Sequence, residues 1–538
     1  MPWRGVNEGK SWNISSLDGK ERERERERER VFLVLIVFIH FVARSAPTLR
    51  NKQNMAQNPP PTKHHRRVVD YCSDEEEEEE DEEFVIEEEL NKLSALIETS
   101  LANAFGFACC DELETDENPE TKRLSAHLRL ILTPLSSSSK KEEMKVACEE
   151  CLTALWRVLR DESCGWDKPT YRECFVLSSL RLSLCKLLEG NLQEAMECLD
   201  TALILGCPGE MARPFVRLLE KLMRRSAGGR NRASSNSLVK KQKVATREKA
   251  LVVDNVLPSS PSLVPKILHP LERMNDSATW EEFKVMYFNK DMPVQLPSDK
   301  SMPCVEKWRD LAYFKERFGK RLIPLEVGKY DDVENWKEEI VPLEVFIDEH
   351  LAPDILKKGD KNSFVSYLAQ HQLFEQIPQL AMDFEIPRWC NAGQFERCNI
   401  WLGTSNTITP CHFDSYDNIF GQVFGYKFVR LYLESDSQFM YKSGGDWETT
   451  RSWNVKDDDD RDGDDNSEEK ETKKKFRNAQ GNISRVDVEA PDLEKFPEFA
   501  KATPMDVILG PGDFIYIPSR TWHYVRSLTV SCSLNFLF

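Results

Sequence analysis

Thr409-Pro410-Cys411-His412-Phe413-Asp414 decides how this chain is read, together with Trp522-His523 near its end. His412 and Asp414 stand two residues apart. On a β-strand, residues i and i+2 point to one face, so an imidazole and a carboxylate project side by side. A second imidazole from a distant strand completes a facial set of two His and one carboxylate. That donor set leaves adjacent positions open on a non-haem Fe(II), where a cosubstrate and O2 can bind. His523 is the candidate for the third ligand.

An H-x-D by itself arises often by chance and reads equally well as a polar strand residue beside a surface acid. Its surroundings give it weight. Lys427 lies in a second strand-like run, Gly425-Tyr426-Lys427-Phe428-Val429-Arg430-Leu431-Tyr432. A lysine on the inner face of a barrel needs an anionic partner, because an unpaired buried charge is costly. The distal carboxylate of 2-oxoglutarate is such a partner. His523 follows Gly510-Pro511-Gly512-Asp513-Phe514-Ile515-Tyr516-Ile517-Pro518, a turn, a strand and a stop.

Three further strings carry a resemblance. They are Tyr367-Leu368-Ala369-Gln370-His371-Gln372-Leu373-Phe374, Val486-Asp487-Val488-Glu489-Ala490-Pro491-Asp492-Leu493-Glu494-Lys495-Phe496-Pro497, and Trp522-His523-Tyr524-Val525-Arg526. With the H-x-D they resemble the Jumonji-C (JmjC) 2-oxoglutarate oxygenases, most closely the lysine-demethylase-8-like group. The resemblance covers roughly the C-terminal half of the chain. It implies Fe(II) held by His412, Asp414 and His523, with 2-oxoglutarate as cosubstrate and O2 as oxidant. It implies that Lys427 meets the far carboxylate, where charge-assisted bonds are strong. Hydroxyls of Thr409 and Tyr367 complete that end, and Asn418 faces the chelating end. The implied activity is oxidation of a protein or peptide substrate, a histone tail among the candidates. Hydroxylation of a side-chain carbon leaves an alcohol, whereas hydroxylation of an N-methyl group collapses to formaldehyde and a demethylated amine. A catalytically inactive JmjC scaffold is the alternative. Two positions depart from the family pattern. Ser415 stands where Pro usually follows the H-x-D, and the end Asn535-Phe536-Leu537-Phe538 lacks paired tryptophans, leaving Leu537 where a Trp wall is expected.

The 538 residues allow two or more domains, and 40% hydrophobic content supports a sizeable core. The formal net charge of -18 argues against a general nucleic-acid grip. Fifteen scattered cysteines, an odd number without framework spacing, favour a reducing compartment. Cys148 and Cys151 form a C-x-x-C with no second pair nearby, and their helical setting reads as buried thiols.

The expected fold class is α+β, an N-terminal all-helical domain followed by a double-stranded β-helix, the cupin-like jelly-roll barrel. Residues 1–54 are a low-complexity extension ahead of Met55, with a Glu-Arg repeat up to Arg30. The apolar run 31–43 is shorter than the about 20 residues of a membrane span, so no membrane is expected. It also reads as the core of a secretory signal or anchor. Residues 55–83 are a disordered acidic linker, either a contact for basic partners or a solvating tail. Residues 84–225 carry helical stripes, in 90–104, 144–158, 177–188 and 192–203, the last two forming one tetratricopeptide-type hairpin. Residues 226–260 are a basic flexible linker. Lys240-Lys241-Gln242-Lys243 there is a candidate nuclear-import signal, placing the chain in the nucleus and also in the cytoplasm. Residues 261–538 hold the oxygenase domain. Within it, Trp280-Glu281-Glu282-Phe283 reads as a helix, Arg321-Leu322-Ile323-Pro324-Leu325-Glu326-Val327-Gly328 as a strand and 336–351 as an amphipathic helix. The charged stretch 443–480 reads as a disordered insertion.

Overall fold

The computed structural model describes residues 119–131, 133, 138–159, 169–233, 251–258, 263–329, 336–357, 365–442 and 482–538. All of them fall within the compact unit His65–Phe538. The expectations for 1–54, 55–83, 90–104, 240–243 and 443–480 lie outside the described residues.

Apolar residues at helical spacing build the N-terminal part. Its helices are α1 (Pro119–Ile131), α2 (Ser138–Leu159), α3 (Pro169–Leu188), α4 (Leu192–Ile204) and α5 (Gly209–Ala233). Met144, Ala147, Cys151 and Leu155 turn inward from α2, Leu177, Leu180, Leu184 and Leu187 from α3, and Ala195, Met196, Leu199 and Ala202 from α4. One face of each helix is thereby buried against its neighbours. Cys148 and Cys151 are both buried on α2, and burial pushes the Cys148 thiol well up, away from the reactive thiolate. Helix α5 continues past Arg225 into the stretch read as linker. Among the described residues no helix is long and apolar enough to cross a membrane.

The C-terminal part begins earlier than residue 261. Val253 is already buried in the largest core, and its N–H donates to the Arg309 carbonyl at 2.9 Å. Helix α6 (Trp280–Met286) starts at a capping box, with Thr279 Oγ1 accepting from the Glu282 N–H and Glu282 Oε2 from the Thr279 N–H. The strands are β1 (Val294–Leu296), β2 (Leu322–Val327), β3 (Lys337–Pro342), β4 (Ser366–His371), β5 (Arg397–Gly403), β6 (Ile408–His412), β7 (Asn418–Phe424), β8 (Lys427–Tyr432), β9 (Met505–Leu509), β10 (Phe514–Ile517), β11 (Trp522–Ser527) and β12 (Ser531–Leu537).

They form two antiparallel sheets, one of eight strands in the order β1-β10-β7-β12-β5-β4-β2-β3 and one of four in the order β6-β11-β8-β9. The two ladders stay separate. They face each other across a shared core, with Phe420, Ile515 and Ile517 from the large sheet against Val429, Leu431, Val507, Leu509 and Val525 from the small one. Between β7 and β8 the chain turns at Gly425, where φ is 71° and an added Cβ would lie 2.1 Å from the Val530 carbonyl oxygen. Only glycine fits there. After residues 443–481 the chain rejoins the small sheet, where Ile483 bridges His412 and Ser484 bridges Lys442, both antiparallel.

The helix expected over residues 336–351 is corrected. Lys337–Pro342 is instead the edge strand β3, paired with β2, and helical backbone starts only at Leu343. Pro342 explains the switch. Its ψ of 140° is extended, it has no N–H to give a helix interior, and an edge strand tolerates it.

Candidate metal centre

A cavity opens between the two sheets and draws its lining from both. Thr409 and His412 come from β6 and His523 from β11. Tyr367, Trp401, Asn418 and Asn535 come from β4, β5, β7 and β12.

His412 is the last residue of β6 and pairs directly with His523 on β11, their ring centroids 4.2 Å apart. Asp414 stands just beyond the strand rather than on it, where its carbonyl accepts from the Arg520 N–H at 2.7 Å. Its carboxylate still reaches both rings, with Oδ1 3.9 Å from His412 Nε2 and Oδ2 3.8 Å from His523 Nε2. One ligand atom from each of the three lies within 4.8 Å of the others. Each imidazole is oriented from behind: His412 Nδ1 faces the Pro410 carbonyl at 2.8 Å and His523 Nδ1 the Thr521 carbonyl at 3.0 Å. A carbonyl only accepts, so the proton sits on Nδ1 and each Nε2 lone pair faces the cavity. Burial, and then the neighbouring His523, lower His412 to about 4, which keeps it neutral and able to ligate at pH 7. Two imidazole nitrogens and one carboxylate oxygen are a fitting donor set for a divalent iron-type metal.

Lys427 opens β8 and is wholly buried behind Tyr367, where its Nζ donates to the phenol oxygen at 3.1 Å. Among the described residues no carboxylate forms an ion pair with it. Burial lowers the ammonium to about 7. The Tyr367 hydroxyl is also hydrogen-bonded to Thr409, and burial pushes its phenol up. Gly403 lies opposite Tyr367 on β5, and an added Cβ there would meet the Tyr367 ring at 2.7 Å. Its bare backbone lets the ring lie against the sheet. Buried Asn418 Oδ1, Asn535 Oδ1 and Trp401 Nε1 have no hydrogen-bond partner. Buried polar atoms left in this state need a ligand or ordered water. A buried lysine, unpartnered amide oxygens and metal-type donors around one cavity fit a small keto acid chelated to a metal.

Every residue singled out from sequence for this chemistry thus gathers at one place. Tyr367, Thr409, His412, Asp414, Asn418 and His523 line the cavity, and Lys427 stands one hydrogen bond behind it. The sequence reading missed Gln370, Trp401 and Asn535, which also line it. Asn535, a lone amide in the apolar run of β12, was a usable signal. Gln370 gave none, since a β-bulge brings it there. Leu537, where a Trp was expected, is buried but does not line the cavity. Ser415 is exposed.

Residues 280–538 match the family described as Cupin-like domain. The chain is 29% identical over 490 residues to JmjC domain-containing protein F of Dictyostelium discoideum, covering 80% of this chain and 94% of that protein. It is 32% identical over 262 residues to lysine-specific demethylase 8 of Xenopus tropicalis, covering 48% of this chain and half of that protein. To lysine-specific demethylase 8 of Danio rerio it is 29% identical over 370 residues, 66% of this chain and 77% of that protein. The part of the chain that carries the facing sheets and the His-Asp-His cluster is thus similar to the Cupin-like domain and to proteins named for a JmjC domain or as lysine-specific demethylase 8.

Proposed function

We propose that the chain is an Fe(II)- and 2-oxoglutarate-dependent protein oxygenase whose two facing sheets form a double-stranded β-helix. One observation carries this: a His412-Asp414-His523 cluster shares a cavity with the hydroxyl of Tyr367, which backs onto a buried lysine that no described carboxylate neutralises. His412, Asp414 and His523 hold the metal, with their backbone hydrogen bonds fixing the tautomer. Lys427, Tyr367 and Thr409 take the far carboxylate of 2-oxoglutarate, and Asn418 faces its chelating end. Phe420, Val429, Ile517 and Val525 keep water from the reacting centre. When bound, Fe(II), 2-oxoglutarate and O2 supply oxidation of a substrate C–H, with release of succinate and CO2.

The substrate is a protein or peptide side chain. Oxygen insertion at carbon gives an alcohol, and at a lysine N-methyl group it gives formaldehyde and the demethylated amine. The relatives named lysine-specific demethylase favour a lysine substrate. A histone tail as that substrate, met in the nucleus, is part of the proposal. The chain's own residues support the step common to both outcomes, and hydroxylation is placed first.

The test is succinate release from 2-oxoglutarate by the full chain with Fe(II), ascorbate and mixed histone and ribosomal peptides, beside His412→Ala. Turnover in the wild type and its loss in the variant support an oxygenase, and peptide mass separates a gain of oxygen from a loss of methyl. Absence of metal and 2-oxoglutarate binding leaves the scaffold reading instead.

A further inference from the structure

Strand β4 is irregular where it meets the cavity. Tyr367 and Leu368 pair in step with Gly403 and Leu402, but His371 pairs with Ile400, so one extra residue is accommodated between Leu368 and His371. Such a bulge bends a strand and re-aims a side chain. Here it lets Tyr367 and Gln370, three residues apart, both line the metal cavity. Gln370 has a φ of 49°, a left-handed conformation that a residue with a Cβ adopts only when its surroundings hold it there.

The hold comes from the helical part of the chain. His371 Nε2 is 2.7 Å from Gln376 Oε1, and the Gln376 amide nitrogen donates to the Leu322 carbonyl at 2.6 Å. That second bond fixes the amide orientation, so the oxygen accepts from His371. Burial lowers the His371 pKa, which keeps the ring neutral with its proton on Nε2. Arg321 donates to the Gln376 backbone carbonyl and grips Asp200 of α4 with its Nε and Nη2, at 2.9 and 2.6 Å. Asp200 also accepts from the Leu322 N–H at 3.0 Å. The side chains of Asp200 and Arg321 are 0% and 8% exposed. Around this pair, Glu220 of α5 reaches Arg321 and Gln379, and Arg213 reaches Glu375.

We infer that Asp200 is a positioning residue for the oxygenase site: acting through Arg321, Gln376 and His371, it fixes the β4 bulge that presents Tyr367 and Gln370 to the cavity. The metal ligands stand on β6, on β11 and in the turn after β6, outside this chain of bonds. Asp200 therefore governs the cosubstrate side of the cavity and not the metal side. The inference rests on the oxygenase reading above.

The experiment measures Mn(II) affinity, and then 2-oxoglutarate affinity for the Mn(II)-loaded full chain, by calorimetric titration. Mn(II) serves as a redox-silent stand-in for Fe(II). Asp200→Asn keeps the shape and removes the charge, and Gln376→Met cuts the link to His371 without leaving a buried charge unpaired. Each variant should bind Mn(II) as the wild type does and 2-oxoglutarate about tenfold more weakly or worse. Gln376→Met keeps the inference testable if Asp200→Asn does not fold. Equal 2-oxoglutarate affinity in a folded variant, or parallel loss of Mn(II) and 2-oxoglutarate binding, would overturn the positioning role while leaving the oxygenase reading intact. A wild type that binds no 2-oxoglutarate removes both.

Discussion

Lys427 is the most informative single residue, because its environment and its chemistry pull in opposite directions. An ordinary lysine keeps its proton to about pH 10.4, whereas burial brings this one to about 7. An anion in the cavity favours the protonated form. Above pH 7 the empty site must first take up a proton, so 2-oxoglutarate affinity should fall about tenfold per pH unit there and level off below it. Calorimetric titration from pH 6 to 9 checks the slope, and Lys427→Arg, which cannot lose its proton in this range, should flatten it. The same shift acts on the empty protein. Between about pH 7 and 10.4 the unfolded chain holds a proton that the native lysine has released, so native stability rises with pH across that window. Lys427→Met should lose that rise and weaken 2-oxoglutarate binding by about 10–100-fold. His412→Ala removes one of the three proposed ligands and should weaken Mn(II) binding more than about 100-fold. These residues were legible because the H-x-D does not stand alone: a lysine in an apolar run and a Trp-His near the C-terminus accompany it. Gln370 was not legible, because its place depends on a one-residue register shift that no local pattern encodes.

Elements were read well where their own periodicity decides them. The α3–α4 hairpin carries its apolar stripes and its Gly190-Asn191 turn within a short span, and it folds as expected. The strand β3 was misread because Lys337, Glu338 and Glu339 are good helix formers, yet pairing with β2 overrides that weak preference. Pro342 was the available warning. The small sheet depends on a second buried pair. Asp506 on β9 accepts from Arg430 Nε at 2.7 Å, from Nη2 at 3.0 Å and from the Leu268 N–H at 2.8 Å. Asp506→Ala leaves the guanidinium uncompensated and should cost about 3–5 kcal/mol in chemical denaturation. Gly403→Ala makes a subtler case. The added methyl would lie 2.7 Å from the Tyr367 ring and 2.9 Å from the Ser366 carbonyl oxygen, so Tyr367 must shift. A loss of 2-oxoglutarate affinity, with Mn(II) binding kept, is the expected result.

At the scale of the whole molecule, the helical part is joined to the sheets by buried charge. Asp200 and Arg321 are 121 residues apart in sequence, and neither belongs to a motif, which is why the docking of the two parts could not be read in advance. The same distance problem applies to His412 and His523, but there the metal-ligating chemistry of an imidazole pair with one carboxylate makes the pairing guessable. One consequence follows from the antiparallel bridge between Lys442 and Ser484. Lys442 and Ser484 therefore lie within the about 5 Å of an antiparallel pair, a span that a short turn can close. Joining them through a Gly-Ser turn should keep Mn(II) binding at the neighbouring cluster, which calorimetric titration checks. The bridge marks a place where the chain can be rejoined without moving His412.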